Sequence, residues 1–282
     1  MSFERIGVVG SGIMGGGVAE VAATTGAAVI VCSRTVERAD AVLVTIDRSL
    51  ARQVEKGKLD AEDAAAIRRR VSVTTELKDL RDCDFVMETV VEDLAVKLEL
   101  FAALGDVVGP KTVLATCTST LPVIDLAMRV TQPERVCGVH FFNPVTVMSL
   151  VEIVRPITAS DETIAAATAF ARDCHKEPIE VKDRAGFIVN ALLFPYLNNA
   201  VRILEQGVGT KEGIDAAMKG GCGFPMGPLA LLDLVGLDTS VAILDALYAE
   251  YADANYAPVP LLRRMVSAGQ LGRKSGAGFF QY

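Results

Sequence analysis

Short apolar runs rich in Val and Ile alternate with stretches of helical periodicity through roughly the first 180 residues, the pattern by which βαβ units build a parallel sheet. Strands are predicted at 5–10, 28–32, 71–74, 85–88, 112–116, 136–140, 150–154 and 178–181. Between the second and third, Ala39, Val42, Leu43, Ile46, Leu50 and Val54 recur at helical spacing until Gly57 interrupts them. A helical hairpin is expected to project there. After Asp183 the strand signals stop, and helical stretches are punctuated by Gly207, Gly209, Gly220, Gly221, Gly223, Pro225, Gly227, Pro228 and Gly236. That change of pattern predicts a second, all-α domain. On its first helix Leu192, Leu193, Tyr196, Leu197, Ala200 and Leu204 form a broad apolar face, open either to a dimer partner or to an ordinary core.

Composition narrows the function classes. A chain of 282 residues with 51% hydrophobic content can fill two cores. The net charge of −7 disfavours general nucleic-acid binding, which needs a basic excess. Apolar residues are dispersed, and no run reaches bilayer-spanning length, so no membrane partner is expected. Six cysteines, Cys32, Cys83, Cys117, Cys137, Cys174 and Cys222, contain no CxxC pair. Neither a metal cage nor a disulfide scaffold is indicated. Glu4-Arg5 leads directly into an apolar strand with no basic-then-apolar leader, which points to the cytoplasm.

The first predicted strand runs into Gly10-Ser11-Gly12-Ile13-Met14-Gly15, followed by a helical stretch to Thr25 and then Gly26. Glycines there let the backbone turn tightly and approach a pyrophosphate whose charge sits at the helix N-terminus. Strand before, helix after and strand again confirm GxGxxG as a dinucleotide motif. The fold class is therefore α/β: a Rossmann-type, mostly parallel sheet domain over residues 1–183 with the helical hairpin as an insert, then the all-α domain over 184–282. At the end of the second strand, where an acidic residue would hold a ribose 2′-hydroxyl, the chain has Cys32-Ser33-Arg34, with Arg38 a turn later. Ser33 and Arg34 suit a 2′-phosphate, which tilts the cofactor from NAD toward NADP. The alternative is that Arg34 is solvated and NAD binds through other contacts.

Only two histidines serve as candidates for an acid/base working near neutral pH. His175, in Arg172-Asp173-Cys174-His175-Lys176, falls late in a polar helix and reads as a surface residue. His140 ends an apolar strand before Phe141-Phe142-Asn143-Pro144, at the carboxyl edge where open parallel sheets bind ligands. Ser119 follows the strand at 112–116 and reaches the same edge. Its hydroxyl suits a substrate carbonyl or hydroxyl, although Thr118, Ser119 or Thr120 would serve equally to cap the helix beginning near Pro122. Glu152 is a charge inside an apolar strand and needs a partner if buried. Pairing with His140 would orient the imidazole, while an edge strand would leave Glu152 in solvent.

Across essentially its full length the chain resembles the short-chain L-3-hydroxyacyl-CoA dehydrogenase family, which includes bacterial 3-hydroxybutyryl-CoA dehydrogenases. The resemblance is carried by Gly10 to Gly15, Glu88-Thr89-Val90-Val91-Glu92-Asp93, Thr118-Ser119, His140-Phe141-Phe142-Asn143-Pro144 and Gly186-Phe187-Ile188-Val189-Asn190. Pro225-Met226-Gly227-Pro228, Val235-Gly236-Leu237-Asp238 and the tail from Gly272 to Phe280 complete it. It implies interconversion of 3-hydroxyacyl-CoA and 3-ketoacyl-CoA with a nicotinamide cofactor, and the apolar face of the first C-terminal helix suits a homodimer. It also implies that His140 is the acid/base paired with Glu152, that Ser119 and Asn190 hold the substrate oxygen, and that Asn143 lines the site. Glu92 and Lys97 match positions near the nicotinamide, and Arg52 and Lys56 match basic positions that meet coenzyme A phosphates, four apart on one helical face.

Three departures stand out. Cys117 replaces an Asn, Thr120 replaces a Ser, and Ser33-Arg34 replaces the acidic ribose residue. Rival expectations are a β-hydroxyacid dehydrogenase acting on free acids, a dehydrogenase of hydroxyacyl groups on an acyl carrier protein, and a non-catalytic, crystallin-like cofactor-binding protein.

Overall fold

The computed structural model describes residues 3–282. The chain divides into two compact units, the first ending at Asp183 and the second spanning Arg184–Tyr282. The first unit runs β1 (Arg5–Val9), α1 (Ile13–Thr24), β2 (Ala28–Cys32), α2 (Val36–Glu55), α3 (Ala61–Arg70), β3 (Val71–Thr74), β4 (Phe85–Glu88) and α4 (Leu94–Val107). It continues with β5 (Val113–Thr116), α5 (Val123–Ala127), β6 (Val136–Phe141), β7 (Leu150–Arg155), α6 (Asp161–Asp173) and β8 (Glu177–Lys182). Each of the eight strands lies within a residue of its predicted span at either end, and α2 with α3 forms the hairpin between β2 and β3. Thr35 caps α2 through its hydroxyl and Asp60 caps α3 through its carboxylate, which satisfies amides that a helix start leaves open.

The strands form one sheet in the order β3-β2-β1-β4-β5-β6-β7-β8. All neighbouring pairs are parallel except β6 with β7. The central strands are buried on both faces, so their side chains read as continuous Val, Ile and Phe runs. Phe85, Phe141 and Phe170 pack together on one face, with the Phe85 and Phe170 rings stacked at 4.4 Å between centroids. Because β1 lies between β2 and β4, the chain reverses its winding there, and the glycine loop after β1 opens at that switch point.

The second unit is helical: α7 (Val189–Glu205), α8 (Lys211–Cys222), α9 (Pro228–Val235), α10 (Leu237–Tyr251) and α11 (Pro260–Ser267). Its core joins Phe194, Leu197, Val201, Leu229, Leu232, Leu244, Leu247 and Leu262. Much of the apolar face of α7 is consumed there: Leu197 and Ala200 are buried and Leu193, Tyr196 and Leu204 pack against the same cluster. Leu192 alone of the six stays open, at 72% exposure. Among the described residues no helix is long and apolar enough to cross a membrane, and no three His, Cys, Asp or Glu side chains group as a metal site would require.

Candidate active site

The loop after β1 has the shape that a pyrophosphate needs, and the chain's own sterics explain two of its three glycines. Gly10 sits at φ +119°, in the region that L side chains avoid, and a side chain at Gly15 would lie 2.0 Å from the Gly10 carbonyl oxygen. Thr89 closes the loop from β4 by donating from its hydroxyl to the Val9 carbonyl at 3.1 Å. Gly12 is different, since a Cβ there would meet nothing within 4 Å. Its lack of a side chain keeps open space in front of α1. Gly12 is also the N-cap of α1 and supplies no side-chain cap, and no acidic residue occupies the first turn. The unpaired amides and dipole of α1 therefore face outward, beside Ile13, 75% exposed, as an anion site.

At the end of β2, Ser33 is buried with its hydroxyl 2.7 Å from that of Ser11 in the glycine loop. Arg34 is exposed. The two residues expected to act together thus face different surroundings: Ser33 is tied to the glycine loop, while the guanidinium of Arg34 meets solvent.

The decisive geometry lies at the other half of the sheet. The β6–β7 pair is antiparallel with His140 directly opposite Glu152, and opposed side chains of such a pair stand about 5 Å apart at Cβ. The carboxylate oxygen Oε2 of Glu152 lies 2.8 Å from Nδ1 of His140. Both are buried. β7 is flanked by β6 and β8, so the solvent-facing edge position left open for Glu152 does not occur. A carboxylate accepts, so Nδ1 carries the proton and Nε2 is left with its lone pair. On that side the Ser119 hydroxyl lies 3.0 Å from Nε2.

Ser119 reaches His140 because it is not needed as a helix cap. The amides of Val123 and Ile124 at the start of α5 donate to the carboxylate of Asp183, at 3.0 and 2.8 Å. The Thr118 hydroxyl accepts from Leu121 N at 2.9 Å. Of the three hydroxyls expected to compete for the cap, Thr118 supports the turn and Asp183 caps the helix. Glu92 completes the turn, its Oε1 accepting from the Thr118 hydroxyl at 2.6 Å and from the amide of Ser119 at 2.9 Å.

Lys97 lies beside Glu92, its Nζ 3.5 Å from Glu92 Oε2. It was a candidate cofactor contact, but its side chain is fully buried and its Nζ donates to both carboxylate oxygens of Glu88, at 2.7 and 2.8 Å. Glu88 and Thr116, whose hydroxyl donates to Glu88 Oε2 at 2.6 Å, went unassigned in the sequence. The signal was present: Glu88 is a charge ending a buried apolar strand, nine residues before a lysine.

The remaining candidates are more dispersed. Asn143 is exposed, two residues past the end of β6. Arg52 is exposed in the last turn of α2, and Lys56 is the residue after that helix, its amide donating to the Arg52 carbonyl at 3.2 Å. Asn190 is buried in the first turn of α7 in the second unit. Cys117, at the end of β5, has its thiol pushed up to about 12 chiefly by burial, which removes it as a nucleophile. His175 is exposed at φ 57°, two residues beyond the end of α6 instead of inside it.

Residues 5–184 match the family model described as 3-hydroxyacyl-CoA dehydrogenase, NAD binding domain, and residues 186–282 match the corresponding C-terminal domain. The chain is 46% identical to the 3-hydroxybutyryl-CoA dehydrogenase of Mycobacterium tuberculosis, over 100% of this chain and 99% of that protein. It is 42% identical to the 3-hydroxybutyryl-CoA dehydrogenase of Clostridioides difficile, over 99% of each chain. Among solved structures, (S)-3-hydroxybutyryl-CoA dehydrogenase from Ralstonia eutropha superposes with a TM-score of 0.97 at 40% identity, over 100% of this chain and 99% of that one.

Proposed function

We propose, for a chain that belongs to the 3-hydroxyacyl-CoA dehydrogenase family, that the Ser119–His140–Glu152 constellation carries the chemistry. The protein is a nicotinamide-dependent dehydrogenase that interconverts 3-hydroxyacyl-CoA and 3-ketoacyl-CoA. One observation supports the division of roles above the others: a buried carboxylate holds one nitrogen of His140 at 2.8 Å and a serine hydroxyl meets the other at 3.0 Å.

The nicotinamide, when bound, takes up or supplies the hydride. In the oxidative direction Nε2 of His140 removes the proton of the 3-hydroxyl, and in reduction it returns that proton to the ketone oxygen. An oxygen within reach of both Nε2 and the Ser119 hydroxyl is hydrogen-bonded in both directions, so charge developing on it meets a donor already in place. Glu152 keeps Nδ1 protonated and balances the positive charge of the imidazole while it holds the second proton. The resemblance assigns Asn190 and Asn143 to the substrate and Glu92 to the nicotinamide side, and these roles are kept in the reading. Arg52 and Lys56, both exposed, are proposed to meet the coenzyme A phosphates. The first unit is proposed to bind the dinucleotide, and the helical unit to complete substrate binding and dimerisation.

The finer cofactor preference is proposed to be NADP. Arg34 is exposed at the end of β2, where a carboxylate would repel a 2′-phosphate and a guanidinium attracts it. A second copy of the chain is proposed as partner for the stripe of α7 on which Leu192 and Ile203 stay exposed. The six free cysteines fit a reducing compartment, and the cytoplasm is the proposed location.

Reduction of acetoacetyl-CoA by NADH and NADPH in parallel tests the reading. Turnover is expected with the wild type, and His140→Ala is expected to lower kcat by about 10²- to 10⁴-fold, the usual scale of general acid–base catalysis. Unchanged turnover in that variant removes the assignment. Equal turnover of free acetoacetate favours the free-acid reading, and exclusive use of the acyl-carrier-protein thioester favours that carrier.

A further inference from the structure

His140 and Glu152 sit on neighbouring strands, and residues 142–149 connect those strands at the carboxyl edge of the sheet. At the start of the connection the Phe142 ring lies against the His140 imidazole, 4.6 Å between centroids. Asn143 follows it, exposed. The chain then folds on itself, the Pro144 carbonyl accepting from the amides of Val147 and Met148 at 2.9 and 3.0 Å. Val145 is buried against α1, where a Cβ at Gly17 would come within 2.8 Å of the Val145 Cβ. Toward the helical hairpin the packing is incomplete. A cavity of about 260 Å³ is lined by Glu20, Gln53 and Leu59 together with Thr146, Val147 and Ser149 of the connection. Side-chain packing therefore holds the connection from one side only.

Lys176 supplies the remaining support. It lies between α6 and β8 and is buried. Its Nζ donates to the carbonyl of Val145 at 2.6 Å and to that of Met148 at 2.9 Å. Among the described residues no carboxylate pairs with it, and burial holds its ammonium below the ordinary lysine value of 10.5. A methionine would fill the same space without taking a charge out of water. What the lysine contributes is a pair of charge-assisted hydrogen bonds, and both go to the connection. We propose that Lys176 is a positioning residue for the reaction: by tying Val145 and Met148 it holds the connection so that Phe142 stays against His140 and Asn143 faces the substrate. The inference rests on the roles proposed above for His140 and Asn143. Lys176 stands apart from the contacts among Ser119, His140 and Glu152 and acts only through the connection.

The test is Lys176→Met, which keeps the volume and removes the donors. Its circular dichroism is expected to match wild type. A readout independent of activity comes from proton NMR, because the carbon-bound imidazole protons of His140 carry the ring-current shift of Phe142. In Lys176→Met they are expected to move toward their positions in Phe142→Leu, and His175→Gln distinguishes the two histidines of the chain. Acetoacetyl-CoA reduction is expected to lose about tenfold in kcat/KM, the scale of one lost hydrogen-bonded anchor. In an Asn143→Ala background the same substitution is expected to add much less, because residues acting through one group are non-additive. Unmoved His140 signals, wild-type kcat/KM, or a loss that adds in full to that of Asn143→Ala overturns the proposal. Should Lys176→Met fail to fold, Lys176→Gln, a shorter neutral donor, is expected to shift the same signals and lower kcat/KM in the same direction by less, and no change in either overturns the proposal. An inactive wild type defeats the assignment of function, whereas an active wild type with insensitive variants defeats the positioning role alone.

Discussion

The carboxyl edge of the sheet holds two ends built on opposite principles. At the β6 end every polar group described has a partner: Glu152, His140, Ser119, Glu92, Lys97 and Glu88 follow one another through contacts of 2.7 to 3.5 Å. At the β2 end Arg34 stands exposed, and Ser33 alone is tied down, to Ser11. The difference follows from the roles proposed for the two ends. Proton transfer needs groups held in place before the substrate arrives, because reorganisation at the moment of reaction adds to the barrier. Recognition of a phosphate by a guanidinium tolerates a mobile, solvated side chain that orders on binding.

Three substitutions would break or sharpen that contrast. The largest effect is expected at the ordered end. Glu152→Gln keeps an acceptor for Nδ1 and removes the charge, and kcat for acetoacetyl-CoA reduction is expected to fall by about 10²-fold. A fall of less than about threefold would show that the carboxylate only fills space. At the open end, Arg34→Asp is expected to lower the ratio of kcat/KM with NADPH to that with NADH by about tenfold or more, the scale of losing one charge-assisted pair. A wild type that prefers NADH ends the NADP reading. The smallest effect is expected at Glu20 of α1, a buried carboxylate whose partners Ser49 and Gln53 are both neutral.

Burial pushes Glu20 above its ordinary value of 4.5, against the lowering effect of the Ser49 and Gln53 hydrogen bonds. The folded protein therefore binds that proton more readily than the unfolded chain, and the ionised carboxylate weakens folding at neutral and alkaline pH. The penalty disappears as the pH falls through the raised folded-state pKa. Glu20→Gln is accordingly expected to raise the melting temperature at neutral and alkaline pH, with the gain fading in acid. A loss at neutral pH would show that the charge is offset by a partner, as at Glu88.

The parts of this site legible in the sequence were those fixed by local chemistry. GxGxxG after a strand, a histidine ending an apolar run and a charge inside another apolar run each announce themselves by residue type against background. What stayed hidden were relations between segments. Thr118, Ser119 and Thr120 are chemically equivalent caps, and only the arrival of Asp183, 60 residues on from Val123, freed the serine. Lys97 stood near the nicotinamide by resemblance alone, and the charge ending β4 signalled that a cation would meet it without recording which one.

The sequence by itself determined the alternation of strand and helix, the hairpin after β2, the glycine loop and the singling out of His140, because hydrophobic period, turn chemistry and the scarcity of histidine are properties of the chain. The tertiary structure alone decided the direction of β7. An antiparallel return sets Glu152 opposite His140 and inside the sheet. Strand direction depends on how a connection crosses the sheet, which no pattern within the strand records.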